Sequence, residues 1–276
     1  MEAKGSPAGR AIAGGPAAEF GIRGKRALVT GASRGIGLAV ARELVRQGCS
    51  VAIGARGADQ LEVAAAELAE SGGTVFSAVL DVTSAKGVAD FVGAAATALG
   101  GLDYLVANAG GSVGGDLDGS THSDWMDTFN LNVAHAANVL RSGRRYLRDS
   151  PAPAAVLVSS ISGSKPAPHA QYGASKAALI YLASALAREL APDGIRVNSV
   201  SPGSILFPGG GWDRFRQREP EQFQAFLDRD LPAGRLGTVE EVAAVIAFIL
   251  SPLASWVNGA DIPVDGAQGR PGASGW

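Results

Sequence analysis

Thr30-Gly31-Ala32-Ser33-Arg34-Gly35-Ile36-Gly37 is the stretch on which the fold turns. Residues 26–30 before it are a short apolar run, and residues 35–47 after it carry apolar side chains at helical spacing. A strand that passes through glycines straight into a helix gathers free backbone N–H groups and the positive end of the helix dipole at one point, which suits a phosphate. In this reading Gly31 permits the tight exit from the strand. Gly35 lets the backbone approach a pyrophosphate, and Gly37 lets helix and sheet pack closely. The spacing is G-x-x-x-G-x-G, not the commoner G-x-G-x-x-G fingerprint. With 38 glycines in the chain, a purely structural turn is the alternative.

Outward from the glycine loop, apolar runs of strand length alternate with helix-length stretches. Strands are expected at residues 26–30, 50–55, 74–80, 102–107, 154–159, 195–200 and 261–264. Helices are expected at 35–47, 59–70, 85–99, 125–147, 172–190 and 239–250. Continuously apolar strands separated by helices imply parallel strands covered on both faces. The fold class is therefore α/β: one doubly wound, Rossmann-type parallel sheet of about seven strands with helices on both faces, spanning residues 21–268. Residues 1–20 read as a disordered leader and 269–276 as a flexible tail. Two segments interrupt the alternation. Residues 110–120 are glycine-rich, and residues 204–232 carry Phe207, Trp212, Phe215, Phe223 and Phe226. Both follow strands, so both should rim the crevice where such sheets bind ligands. The aromatic segment reads either as a substrate lid or as helix packing.

Composition narrows the function classes. The chain has 276 residues, 46% hydrophobic and 18% charged, enough apolar material for a sizeable core. A net charge of −2 gives no electrostatic reason to expect nucleic acid or an anionic membrane as partner. The single cysteine, Cys49, excludes an intrachain disulfide framework and a multi-cysteine metal site, and reads as a small buried residue at a helix end. His122, His135 and His169 show no metal-ligand spacing. No stretch approaches the ~20 apolar residues of a membrane helix, so the cytoplasm is the expected location.

The second predicted strand ends Gly54-Ala55-Arg56-Gly57, with no carboxylate where an NAD-type site places one on the ribose hydroxyl. Arg56 and Arg34 can pair with a 2′-phosphate instead, so NADP(H) is the expected cofactor; two solvated surface arginines are the alternative. Tyr172 and Lys176 lie at i and i+4 at the start of a predicted helix and share a face. A free phenol titrates near ~10, and a nearby ammonium lowers that value, making tyrosine usable as a proton donor or acceptor. That pair alone carries little weight. It gains weight from Val156-Leu157-Val158-Ser159-Ser160-Ile161-Ser162-Gly163, a buried strand ending in hydroxyls just before the helix. Ser160 there can donate to a substrate carbonyl. Asn108 stands at the end of another strand, where a cofactor edge would pass. Asn132 is a polar residue in mid-helix, alternatively only a partner of the local helix backbone.

These features in this order resemble the short-chain dehydrogenase/reductase family over residues 25–268. The resemblance includes the glycine loop, Asp81-Val82, Asn108-Ala109-Gly110, Ser160, Tyr172-Gly173-Ala174-Ser175-Lys176, Asn198 to Gly203, Gly234-Arg235-Leu236-Gly237 and Val264-Asp265-Gly266. Within that family the chain looks like the 3-oxoacyl carrier-protein reductases and related carbonyl reductases. The resemblance implies a tetrad: Tyr172 as acid in reduction and base in oxidation, Lys176 holding the nicotinamide ribose and lowering the tyrosine pKa, Ser160 polarising the carbonyl, and Asn132 holding a proton-relaying water. Asn132 is preferred to Asn130 because it follows Trp125 by seven residues, and Ser160 is preferred to its neighbours because it precedes Gly163 by three. For the cofactor the resemblance implies Gly31, Ser33, Arg34, Gly35, Ile36, Gly37, Arg56, Asp81, Val82, Asn108, Ala109, Gly110, Pro202, Gly203 and Ile205, together with Tyr172 and Lys176. His169, Phe207 and Trp212 are candidates for the substrate side. A small carbonyl or alcohol substrate, apolar or carrier-linked, and a homotetramer built on the helices from Trp125 and Tyr172 follow from the same resemblance. The expected activity is NADPH-dependent ketone reduction. An alcohol dehydrogenase working oxidatively and a cofactor-sensing non-enzyme are the alternatives. The chain departs from the family at three places: the Ser160–Tyr172 interval is one residue short, Phe207 replaces a frequent threonine, and Ala267 replaces a frequent glycine.

Overall fold

The computed structural model describes residues 19–272. Nine strands and nine α-helices lie among these residues. They are β1 (Arg26–Thr30), α1 (Gly35–Arg46), β2 (Ser50–Ala55), α2 (Ala58–Glu70), β3 (Val75–Val79), α3 (Ala85–Leu99), β4 (Tyr104–Ala107), α4 (His122–Phe129), α5 (His135–Leu147), β5 (Ala154–Val158), α6 (Ala170–Leu190), β6 (Arg196–Pro202), β7 (Ile205–Leu206), α7 (Gly211–Arg218), α8 (Pro220–Asp230), β8 (Gly237–Thr238), α9 (Val239–Leu250) and β9 (Asp261–Val264). Seven of the strands form one parallel sheet in the order β3-β2-β1-β4-β5-β6-β9, and β7 pairs with β8 apart from it.

Alternate side chains of the sheet feed two cores. In β1, Ala27 and Val29 join the core under α1, α2 and α9, while Leu28 joins the one under α3, α5 and α6. Both faces are buried, as the unbroken apolar runs required. The chain reverses its direction of winding between β1 and β4, which are neighbours. The carboxyl ends of those two strands open on a crevice.

Three segments differ from the expected elements. The stretch expected as one helix over 125–147 begins at His122 on a capping box made by Thr121 and Asp124, and a π-helical turn, Asn130–Ala134, divides it. The expected loop 204–232 holds α7 and α8, with a small core of its own from Phe223, Phe226, Leu227, Leu231 and Leu236. The leader expected at 1–20 lies outside the described residues except for Glu19 and Phe20, whose backbone N–H donates to Gln47 Oε1 at 3.1 Å. Of the expected tail, residues 273–276 lie outside the described residues. Gly269 and Arg270 donate backbone N–H groups to the Asp230 carbonyl and carboxylate, at 2.8 and 3.0 Å. Cys49 is buried just past α1, its thiol donating to the Ile22 carbonyl.

Candidate active site

A groove of about 540 Å³ runs over the carboxyl ends of β1, β2 and β4. Gly31 and Gly35 have φ of +67° and +57°, the left-handed region that glycine enters freely. A Cβ on Gly37 would meet the Gly31 carbonyl oxygen and the Asn108 amide nitrogen, the latter at 2.5 Å. Gly31 and Gly37 thus make the exit and the close packing expected of them, and Gly35 has the left-handed backbone that suits its expected place beside a phosphate. Arg34 is the N-cap of α1, and its side chain caps nothing. The first N–H groups of the helix therefore face the groove without a side-chain partner, as a pyrophosphate requires. Asn108 holds the rim, its Nδ2 donating to the Thr30 and Gly31 carbonyls at 2.9 and 3.1 Å.

Gly31, Ser33, Arg34, Gly35, Ile36, Gly37, Arg56, Val82, Asn108, Ala109 and Gly110 all line this groove. Asp81 is not among its lining residues. Its carboxylate accepts from the Thr83 N–H and hydroxyl, and these bonds, with the charge of Arg56 nearby, hold its pKa below the usual range. Phe207, expected on the substrate side, lies in the groove instead. Its ring would be 3.0 Å from a Cβ on Gly35 and on Gly210, because the chain turns back at Gly209 (φ +67°).

A smaller pocket of about 220 Å³ opens from the groove past Ile36, Asn108 and Gly110. Ser160, Tyr172, Lys176, Pro202, Gly203 and Ile205 line it. The turn after β5 packs directly on the first turns of α6. A Cβ on Gly163 would lie 2.7 Å from the Lys176 backbone, and the Ser159 hydroxyl donates to the Lys176 carbonyl at 2.8 Å. Ser159 is thereby committed to structure, while Ser160 faces the pocket beside Tyr172. The short interval before Tyr172 does not separate them. Burial pushes the Tyr172 phenol up, and the nearby Ser160 hydroxyl opposes that shift.

Lys176 is buried, its Nζ donating to the Val158 carbonyl at 2.9 Å and lying 5.6 Å from the centre of the Tyr172 ring. Burial brings its pKa down to about 7. Desolvation disfavours both charged forms here. The helix spacing alone therefore does not produce the lowered phenol that the lysine's proximity implied. Asn132 sits in the π-helical turn, a feature that often marks functional sites. Its Nδ2 donates to the Thr128 and Gly111 carbonyls, both at 2.7 Å, and its Oδ1 accepts from Gly111 N at 3.2 Å. The helix-backbone bond anticipated as the alternative is present, and so is a tie to the glycine-rich loop. A Cβ on Gly110 would lie 2.5 Å from Asn132 Oδ1 and 3.1 Å from Lys176 Nζ, which puts the two groups around one point. Asn130 turns elsewhere, towards the Thr83 carbonyl.

Tyr172 and Trp212 are also walls of a third cavity, of about 670 Å³, completed by Ser162, His169, Phe215 and Arg218 among others. Groove, pocket and cavity therefore communicate, with Tyr172 between the last two. The aromatic segment divides its labour. Trp212 stacks on Phe226 at 4.7 Å, so Phe226 and Phe223 are packing while Trp212 and Phe215 face the cavity. Arg218, Glu219, Gln222, Pro271 and Gly272 also line the cavity, and sequence reading missed them. The available signal was Pro220, at a helix start and ahead of Phe223, Phe226 and Leu227 at spacings of three and four. No group of three or more His, Cys, Asp or Glu suited to a metal occurs among the described residues.

This arrangement of sheet, glycine loop and crevice defines a dinucleotide-binding α/β protein. Residues 31–267 match the family model described as Enoyl-(Acyl carrier protein) reductase. The chain is 33% identical to isoepoxydon dehydrogenase of Aspergillus clavatus, over 89% of this chain and 95% of the relative. It is 36% identical to a 3-oxoacyl-[acyl-carrier-protein] reductase of Pseudomonas aeruginosa, over 90% and 98%. The crystal structure of L-sorbose reductase from Gluconobacter frateurii, complexed with NADPH and L-sorbose, superposes with a TM-score of 0.85 at 31% identity, covering 91% of this chain and 98% of that one. The chain belongs to the short-chain dehydrogenase/reductase family, whose members are oxidoreductases acting on alcohols and ketones.

Proposed function

We propose that this protein is an NADPH-dependent ketone reductase in which Tyr172 protonates the carbonyl oxygen. The observation that carries this reading is the position of Tyr172. It stands on the wall between the pocket that continues the cofactor groove and the open cavity, with the Ser160 hydroxyl beside its phenol. A phenol held above its ordinary pKa is protonated at neutral pH, which suits an acid better than a base. Ser160 donates to the substrate oxygen, and Lys176 and Tyr172 hold the nicotinamide ribose. Asn132 orders the water through which Lys176 recovers a proton. When bound, the cofactor supplies the hydride. Arg34 and Arg56, with Ala55 where an NAD-type carboxylate would stand, support NADP(H) over NAD(H). The same groups run the reverse oxidation of a secondary alcohol; the arginine pair favours the reductive direction. An apolar groove of about 500 Å³ beside Met126, Phe129, Val133 and Leu182 supports assembly as a homotetramer. No helix among the described residues is long and apolar enough to cross a membrane, in keeping with the cytoplasmic location we infer. The test is Tyr172→Phe assayed on a ketone panel. Turnover at the nicotinamide absorbance should fall by about 1,000-fold or more, beyond the ordinary general-acid contribution of 10²–10⁴-fold at its low end, while NADPH still binds by fluorescence titration. Near-wild-type turnover in that variant would refute the assignment.

A further inference from the structure

His169 is the residue three before Tyr172, in the interval that is one residue short, and its backbone is left-handed, with φ 64° and ψ 73°. Two bonds hold the ring side of that turn. His169 Nδ1 is 2.8 Å from the Gly115 carbonyl oxygen, and Gln171 Nε2 donates to the same oxygen at 2.9 Å. Gln171 Nε2 also reaches the Val113 carbonyl and the Ser120 hydroxyl, so loop 110–120 is clipped to the start of α6. A carbonyl oxygen only accepts. The hydrogen of the neutral imidazole therefore sits on Nδ1, and Nε2 carries a lone pair. Among the described residues Nε2 has no hydrogen-bond partner, and the ring lines the 670 Å³ cavity together with Tyr172. The Tyr172 N–H donates to the His169 carbonyl at 2.9 Å, so the two side chains leave one turn of backbone. Among the other lining residues, Trp212 and Phe215 offer no acceptor, Gln222 carries an amide, and Arg218 and Glu219 face each other at 3.6 Å.

We infer that His169 Nε2 accepts a hydrogen bond from a second hydroxyl of the substrate, and that the enzyme selects hydroxylated ketones over ketones bearing only the reacting oxygen. This rests on the ketone-reductase reading above. A substrate hydroxyl near the reacting carbon meets a fixed acceptor, because Nδ1 is already committed and the ring cannot turn without losing Gly115. His169 is exposed in the free protein, and a hydrocarbon bound at the same place would cover its acceptor and leave it unpaired, which sites built for a hydroxyl reject.

The test measures kcat/KM with NADPH for cyclohexanone against the better of 2- and 3-hydroxycyclohexanone, and reads the ratio, which any loss common to both ketones leaves unaltered. Wild type should favour the hydroxyketone by about fivefold to tenfold, the worth of one hydrogen bond, expressed in KM. His169→Gly, compatible with the left-handed backbone, should bring the ratio to near one. His169→Asn tolerates that backbone, keeps an acceptor oxygen, and should retain an intermediate ratio. Equal turnover of both ketones by wild type, or a ratio as high in His169→Gly as in wild type, overturns the inference and leaves the reductase reading standing. Absence of NADPH-dependent turnover of either ketone by wild type removes both.

Discussion

At the scale of single residues, burial governs more of this site than pairing does. His135 shows it most plainly. It is 1% exposed, and Thr30 Oγ1 lies 3.0 Å from its Nε2 while accepting from the N–H groups of Asn108 and Ala109. The Thr30 hydroxyl also reaches the Val106 carbonyl at 3.5 Å, and Nδ1 is buried without a hydrogen-bond partner among the described residues, so the imidazolium's second proton would find no acceptor there. Burial, with the charge of Lys176 adding to it, lowers the His135 pKa to about 4. The unfolded chain therefore binds a proton between pH 6.5 and 4 that the folded chain refuses. The stability involved is present above the unfolded value and is lost as pH falls through that window, about 3 kcal/mol in all. Chemical denaturation of wild type and His135→Gln at pH 7 and pH 4.5 should show a smaller acid loss in the variant; equal losses would sink the assignment. Arg56 is the opposite case, an exposed residue whose worth lies in what it meets. Arg56→Asp should lower the ratio of kcat/KM for NADPH over NADH by about tenfold or more, since a charge-assisted hydrogen bond contributes roughly 1.5–3 kcal/mol. An unchanged ratio would defeat the charge argument for the cofactor.

Among the elements, the packing of α1 on the end of β1 sets the shape of the cofactor groove, and Gly37 is where the two meet. An alanine there would press its methyl into the Gly31 carbonyl and the Asn108 amide, both backed by β1 and β4. Neither yields cheaply. Gly37→Ala should cost about 1–3 kcal/mol in unfolding free energy and weaken NADPH binding through the displaced glycine loop, both readable by thermal unfolding with and without NADPH. This element was legible because its signal is local: three glycines at fixed offsets between an apolar run and a helical repeat. The placing of Ser160, Tyr172 and Lys176 around one pocket was legible for the same reason, their spacing being set along one turn and one helix. What escaped reading depends on contacts between distant segments. Phe207 read as a candidate for the substrate side, and the turn at Gly209 carries its ring over Gly35. The π-helical turn at Asn132 leaves the apolar spacing almost unchanged and reveals itself only through the Gly111 contacts. Helices α7 and α8 follow Pro208-Gly209-Gly210-Gly211, which reads as loop, and are held by a core that forms only when both fold together.

At the scale of the whole molecule, one apolar surface among the described residues that the fold leaves uncovered lies on α4 and α6. The cores take up most large apolar side chains, while Trp256, Leu117 and Leu253 are exposed elsewhere, at 98%, 73% and 64%. Met126 on α4 and Tyr181 on α6 nevertheless remain 56% and 77% exposed, next to the apolar groove of Phe129, Val133 and Leu182. Tyr172 is also on α6, and Asn132 is on the π-helical turn that follows α4, so whatever rests on this face supports the elements that carry the site. The sequence reading placed a two-fold contact on these same helices, from the resemblance alone. Exposure of contiguous apolar residues on paired helices is the physical reason to expect one, since monomers rarely leave such a patch to water. A charge introduced on this face would be desolvated by any copy that packs on it, at a cost of several kcal/mol per subunit pair. The double variant Met126→Glu/Tyr181→Glu should therefore run as a smaller species than wild type in size-exclusion chromatography with light scattering. Its unfolding midpoint should also lose the dependence on protein concentration expected of wild type. A wild-type protein of monomer mass, or a variant that keeps the wild-type mass, would show that this face is not the contact.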